Sequence, residues 1–154
     1  MTSGPVLPDS LPCDASLLVP HEPPMLLVRR LIEKADEDDE NGISVIEATV
    51  PHSGPFIFNN SVLPEYCIEV MAQAIASVDG YPLQEGRSPS TGFLAGVDSF
   101  SWSGSPEPGE DLRILLKKTF SFGSVYVFSG SIIGPSGQLA EGQLKIWKME
   151  TSKR

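Results

Sequence analysis

Residues Pro64 to Gly80, PEYCIEVMAQAIASVDG, decide the fold. Proline is tolerated at a first helical position because the N–H it lacks would have no intrahelical partner there. Ile68, Met71, Ala72, Ile75 and Val78 then recur at helical spacing until Gly80 supplies a stop. The pattern predicts one long helix, mostly buried. Its remaining side carries Glu69 and, one turn later, Gln73, so the two polar side chains stack on an otherwise apolar segment.

Outside this helix the chain reads as strands. Met25 to Ile32 (MLLVRRLI) is largely apolar and follows a short helix capped by Asp14 or Ser16 through Leu17 and Leu18. An acidic run from Glu33 to Glu40 ends in Asn41-Gly42, a dipeptide suited to a hairpin turn, before Ile43 to Val50 (ISVIEATV). After the helix come Gly92–Trp102, Leu112–Phe122, Tyr126–Ile133 and Leu139–Met149, separated by Gly and Pro clusters. An apolar helix among strands needs a sheet face to cover it, which predicts an α+β domain: an antiparallel sheet wrapped around one central helix. With 154 residues, 40% of them hydrophobic, the chain suits a single core. Residues 1–12 read as a flexible lead-in, 13–150 as the domain and 151–154 as a tail.

Several classes of function are disfavoured. Cys13 and Cys67 lie far apart, without the spacing of a zinc or redox motif, so no metal is expected. Cys67, inside the helix, reads as a small core residue. The acidic run lacks the alternating ligands and central Gly of a calcium loop. A net charge of -9 speaks against nucleic acid and against non-specific attraction to an anionic membrane. No leader-like start or membrane-spanning run is present, so a cytoplasmic protein is expected.

Three segments resemble the hotdog-fold 3-hydroxyacyl-acyl-carrier-protein dehydratases of fatty-acid biosynthesis. They are Leu18–Arg30 (LVPHEPPMLLVRR), Ile68–Ala74 (IEVMAQA) and Phe93–Gly109 (FLAGVDSFSWSGSPEPG), in the family's order. The Gly-His-Phe-Pro segment that holds that family's catalytic histidine is absent, and Pro55 stands at its ungapped position. The chain is more similar to the divergent branch of predicted dehydratases linked to aryl-polyene-type biosynthesis, in which Pro-His-x-x-Pro-Met and Glu-x-Met-Ala-Gln segments recur.

The resemblance implies dehydration of a 3-hydroxyacyl thioester to a 2-enoyl thioester, without a metal or redox cofactor. That reaction needs a base for a C2 proton, an acid for the departing C3 hydroxyl and donors for the thioester oxygen. Glu69 is the expected acid, its carboxyl pKa raised by apolar surroundings, and Gln73 its orienting partner. Two histidines are candidate bases: His21, held in the Pro-rich turn Val19–Pro24, and His52, which lies closer in sequence to the family's catalytic position. In the resembled family a Pro-Gly pair at the helix start supplies the oxygen's donor. Here the pair is Pro64-Glu65, so the N–H must come from Glu65 or Tyr66, helped by the helix dipole. Phe56 and Phe93 are expected along the acyl tunnel.

The resemblance also implies subunit pairing, as a homodimer or with a second hotdog subunit, and a site shared between the histidine of one subunit and the glutamate of the other. The substrate is expected on acyl carrier protein, with Arg29-Arg30 and Lys117-Lys118 as a candidate docking patch. Coenzyme A is the other possible carrier. Two alternatives stand beside the dehydratase: a non-catalytic hotdog subunit supporting an active partner, and a hotdog acyl thioesterase.

Overall fold

The computed structural model describes residues 10–36, 38–82 and 92–148, except for the side chain of Phe93. The strands are β1 (Cys13–Asp14), β2 (Val28–Glu33), β3 (Ser44–Thr49), β4 (Ile57–Phe58), β5 (Ser61–Val62), β6 (Gly92–Trp102), β7 (Asp111–Phe122), β8 (Val125–Gly134) and β9 (Gly137–Lys148). The helix α1 spans Glu65–Gly80. Seven strands form one antiparallel sheet in the order β1-β2-β3-β7-β8-β9-β6, and β4-β5 form a small separate hairpin. This is the hotdog arrangement that the sequence predicts. Of the lead-in expected at residues 1–12, residues 1–9 lie outside the described residues, as does the tail at 151–154.

The core sits between α1 and the sheet. Val70, Met71, Ala74 and Ile75 pack towards Leu31, Ile46, Ile114, Leu116, Ile132 and Leu144, all buried. Gly130 on β8 makes this approach possible: a Cβ there would stand 2.7 Å from the Met71 sulfur. The helix packs mainly on β2, β3, β7 and β8. The same face of edge strand β6 is left open, with Leu94, Val97 and Trp102 each 40–44% exposed. Their inward orientation follows from register, since they lie opposite Ile146, Leu144 and Ala140, which are buried.

Two local expectations are corrected. The strand predicted from Met25 begins only at Val28, because the chain at Pro23-Pro24 turns and Met25 and Leu26 both donate to the Glu22 carbonyl. Asn41-Gly42 does not form a tight positive-φ turn. The β2–β3 connection is built by Asp39 donating to the Asp36 carbonyl and Gly42 to the Asp39 carbonyl, with the Asp39 carboxylate accepting from the Asn41 N–H. The paired positive φ values fall at Asn59 and Asn60 (51° and 62°), which close the β4–β5 hairpin. The short N-terminal helix is one 3-10 turn, Ala15–Leu17, capped by the Asp14 carboxylate on the Ser16 N–H.

Candidate active site

Between the 3-10 turn and β2, residues 18–27 run as a strap along one flank of α1. At one end a Cβ on Gly80 would collide with the Leu18 carbonyl oxygen, so the glycine permits the close approach. At the other end Gln73 holds the strap. Its side-chain oxygen accepts from the Leu27 N–H at 2.7 Å, and its amide nitrogen donates to the Met25 carbonyl at 2.7 Å. The second amide hydrogen reaches the Glu69 carboxylate at 3.0 Å. Gln73 is 1% exposed, and a buried amide persists only with such partners. These bonds also explain the late start of β2: the backbone at Met25 and Leu27 is spent on the helix rather than on a strand ladder.

The strap carries His21 to Glu69. His21 Nε2 stands 3.6 Å from Glu69 Oε2, with the side chains 34% and 31% exposed. The gap is longer than a hydrogen bond and within the range of an ion pair when the imidazole carries a proton. Glu69 is therefore not in the apolar surroundings expected from its sequence neighbours; it faces an imidazole and a carboxamide and is partly open to solvent. His21 Nδ1 is buried and has no hydrogen-bond partner among the described residues. The exposed part of the ring therefore lies away from Nδ1.

His52 lies elsewhere. It is exposed, and its Cε1 and Nε2 would each stand 3.0 Å from a Cβ on Gly109, whose φ is +88°. Among the described residues it makes no ion pair with Glu69 or any other carboxylate. Of the two candidate bases the fold brings His21 to the glutamate within one chain.

At the helix start the donors are largely committed. Tyr66 N–H donates to the Leu63 carbonyl and Cys67 N–H to the Pro64 carbonyl, at 3.0 and 3.1 Å. Pro64 has no N–H, so Glu65 is left as the first-turn donor. The Tyr66 ring is buried and meets Phe56 edge-on at 6.2 Å. Its hydroxyl has no partner among the described residues, and burial holds it far above the usual phenol range. Phe93 lies opposite Trp147 in the β6–β9 ladder; its side chain is outside the described residues.

Sequence reasoning missed Trp102, whose indole N–H donates to the Pro64 carbonyl at 3.2 Å and ties edge strand β6 to the helix start. No local pattern marks that contact. The Arg29-Arg30 cluster is engaged rather than free: Arg30 bonds Glu47 at 2.8 and 3.0 Å, and Arg29 pairs with Asp111 at 3.8 Å. Burial pushes the Cys67 thiol up to about 11, which removes it as a nucleophile near neutral pH.

A family model described as ApeP-like, ApeP dehydratase, matches residues 13–154. The 3-hydroxyacyl-[acyl-carrier-protein] dehydratase FabZ of Natranaerobius thermophilus is 30% identical over 129 residues, 82% of this chain and 89% of that one. FabZ of Bartonella bacilliformis is 30% identical over 105 residues, 66% of this chain and 68% of that one. Among solved structures, the dehydratase heterocomplex ApeI:P from Xenorhabdus doucetiae superposes with a TM-score of 0.74 at 26% identity, covering 92% of this chain and 93% of that one. The E. coli PaaI protein from the phenylacetic acid degradation operon gives a TM-score of 0.54 at 14% identity, covering 74% and 81%, and shows the fold alone.

Proposed function

The chain belongs to the ApeP-like dehydratase family, and from that premise we propose that it removes water from a 3-hydroxyacyl thioester on acyl carrier protein, using His21 and Glu69 of one chain. The observation that carries the reading is the approach of His21 Nε2 to Glu69 Oε2 at 3.6 Å, on a strap clipped by Gln73. His21 takes the C2 proton, and the C2–H electron pair forms the C2=C3 bond. The C3–O bond breaks, and the hydroxyl leaves as water with a proton from Glu69. Proton return from imidazolium to carboxylate resets the pair directly. The Glu65 N–H, at the positive end of α1, stabilises the charge growing on the thioester oxygen.

The functional unit in this reading is one hotdog domain over residues 13–150, working in the cytoplasm and paired with another hotdog subunit along β6. The open inner face at Leu94, Val97 and Trp102 supports pairing there. Among the described residues no helix is long and apolar enough to cross a membrane. A thioesterase reading rests on fold likeness alone.

The test is water elimination from 3-hydroxyacyl thioesters of several lengths, followed by enoyl absorbance, on acyl carrier protein and on coenzyme A. Loss of activity in Glu69→Gln and His21→Ala, with His52→Ala active, supports the reading. A folded, paired but inactive wild type would favour the supporting-subunit alternative. Release of free thiol would favour the thioesterase.

A further inference from the structure

Edge strand β6 ends beside the first turn of α1, and its last residue reaches across. Trp102 lies opposite Ala140, which is buried, so by strand alternation its side chain stands on the inner face. The strand end is fastened, since the Ser103 and Gly104 N–H groups both donate to the Leu139 carbonyl, at 2.8 and 3.1 Å. The ring is supported as well. Phe100, on the same face, lies against the bare backbone of Gly142, where a Cβ would stand 2.4 Å from its ring. Phe100 in turn meets the Trp102 ring at 4.8 Å between centroids.

The Trp102 N–H donates at 3.2 Å to the Pro64 carbonyl, which also accepts from the Cys67 N–H at 3.1 Å. Cys67 adds a contact of its sulfur with the indole. The Pro64 carbonyl and the Glu65 N–H are the two ends of one peptide group. Because that group is planar and trans, its C=O and N–H point in opposite directions and turn together. Proline fixes φ at this position but leaves ψ, the torsion that aims the plane, to its surroundings. The Pro64 side chain carries no polar atom with which to cap the helix. A hydrogen bond to the oxygen also polarises the amide, which makes its N–H a stronger donor.

We propose that Trp102 is a positioning residue for dehydration: through the Pro64 carbonyl it aims and polarises the Glu65 N–H towards the thioester oxygen. The inference rests on the dehydration reading and on Glu65 as that oxygen's donor. Trp102 itself touches no reacting atom. Its effect is greatest where charge builds on the oxygen, in the transition state, and smaller on the bound substrate. A merely structural Trp102 would act through stability, or through pairing along β6, because the ring is 44% exposed on that open face.

The experiment compares wild type, Trp102→Phe and Trp102→Gln by steady-state enoyl formation and thermal melting, in the subunit assembly in which the chain purifies and at concentrations that keep it assembled. Phenylalanine keeps a ring against Phe100 and removes the N–H. Glutamine gives up the ring but restores a donor, at the same number of bonds from Cα as the indole nitrogen. Trp102→Phe is expected to lower kcat by about tenfold, with KM within about twofold of wild type. Trp102→Gln is expected to melt below Trp102→Phe yet to recover most of the lost kcat. A second readout is the infrared carbonyl stretch of a bound saturated acyl thioester, isotope-labelled at the carbonyl, which is expected at higher frequency in Trp102→Phe than in wild type. Trp102→Phe with wild-type kcat or an unshifted stretch, or kcat values that rank the variants as their melting temperatures do, overturns the proposal and leaves the dehydration reading intact. A wild type that eliminates no water overturns both.

Discussion

Replacing Gln73 with leucine keeps the side-chain volume and removes three hydrogen bonds. The Leu27 N–H belongs to a residue 4% exposed and has nowhere else to turn. An unsatisfied buried donor of this kind costs about 1–3 kcal/mol. Met25 is 41% exposed, so its carbonyl can turn towards water and adds little. Losing the donor to the Glu69 carboxylate adds about 1 kcal/mol, for a total of roughly 2–4 kcal/mol. In a chain of 154 residues that lowers the melting temperature by roughly 5–15 °C. Because the same side chain clips the strap that carries His21, kcat for dehydration is expected to fall by about a hundredfold, the scale associated with a displacement near 1 Å. Urea unfolding and steady-state enoyl formation measure the two effects separately. Ser77→Ala is the control: this hydroxyl is also buried on α1 and among the described residues bonds only the Ala74 carbonyl, so it should cost about 1 kcal/mol and leave kcat alone. A Gln73→Leu chain with wild-type kcat would refute the link between strap and chemistry, whatever its stability.

Other outcomes follow from the same geometry. Gly80→Ala sets a methyl group against the Leu18 carbonyl, and is expected to destabilise the fold by about 1–3 kcal/mol in urea and to lower dehydration by shifting the strap. Stability should fall as pH rises from about 9 to about 11. The Cys67 thiol goes from its ordinary 9.0 to about 11 on folding, so the unfolded chain loses that proton first. The loss is on the order of 2–3 kcal/mol by denaturant titration, and Cys67→Ala should flatten it. In the proposed mechanism His21 and Glu69 act from one side of the substrate, so the C2 proton and the C3 hydroxyl should leave from the same face. Stereospecifically deuterated substrate and mass spectrometry read that directly, and an anti elimination would reject the paired-residue mechanism.

The helix was legible because its apolar residues follow the helical period, and that period also stacked Gln73 on Glu69. The four long strands after it were legible because Gly and Pro clusters separate them. Met25–Leu27 was not legible as a strap: its composition is that of a strand, and only the Gln73 carboxamide, 46 residues from Leu27, diverts its backbone. The choice between His21 and His52 was hidden for a related reason. It depends on which loop crosses the flank of α1, and the position nearer in sequence to Glu69 is held instead against the Gly109 turn. The surroundings of Glu69 were misjudged because its apolar sequence neighbours face the sheet, while the carboxylate meets residues from a distant segment. Asn41-Gly42 carried the stronger turn signature, yet Asn59-Asn60 makes the left-handed turn, since the long acidic connection leaves Gly42 a different task. A Cβ there would stand 2.5 Å from that of Ala35.

The approach of His21 to Glu69 within a single chain has a genetic meaning. Where two subunits each lend half of a site, two differently damaged alleles can restore one another when their products mix. A cell holding one copy with His21 replaced and another with Glu69 replaced would gain nothing from such mixing, because every intact histidine would be covalently joined to a damaged glutamate. The two lesions would fall into one complementation group, and the encoded product would behave in crosses as an indivisible unit.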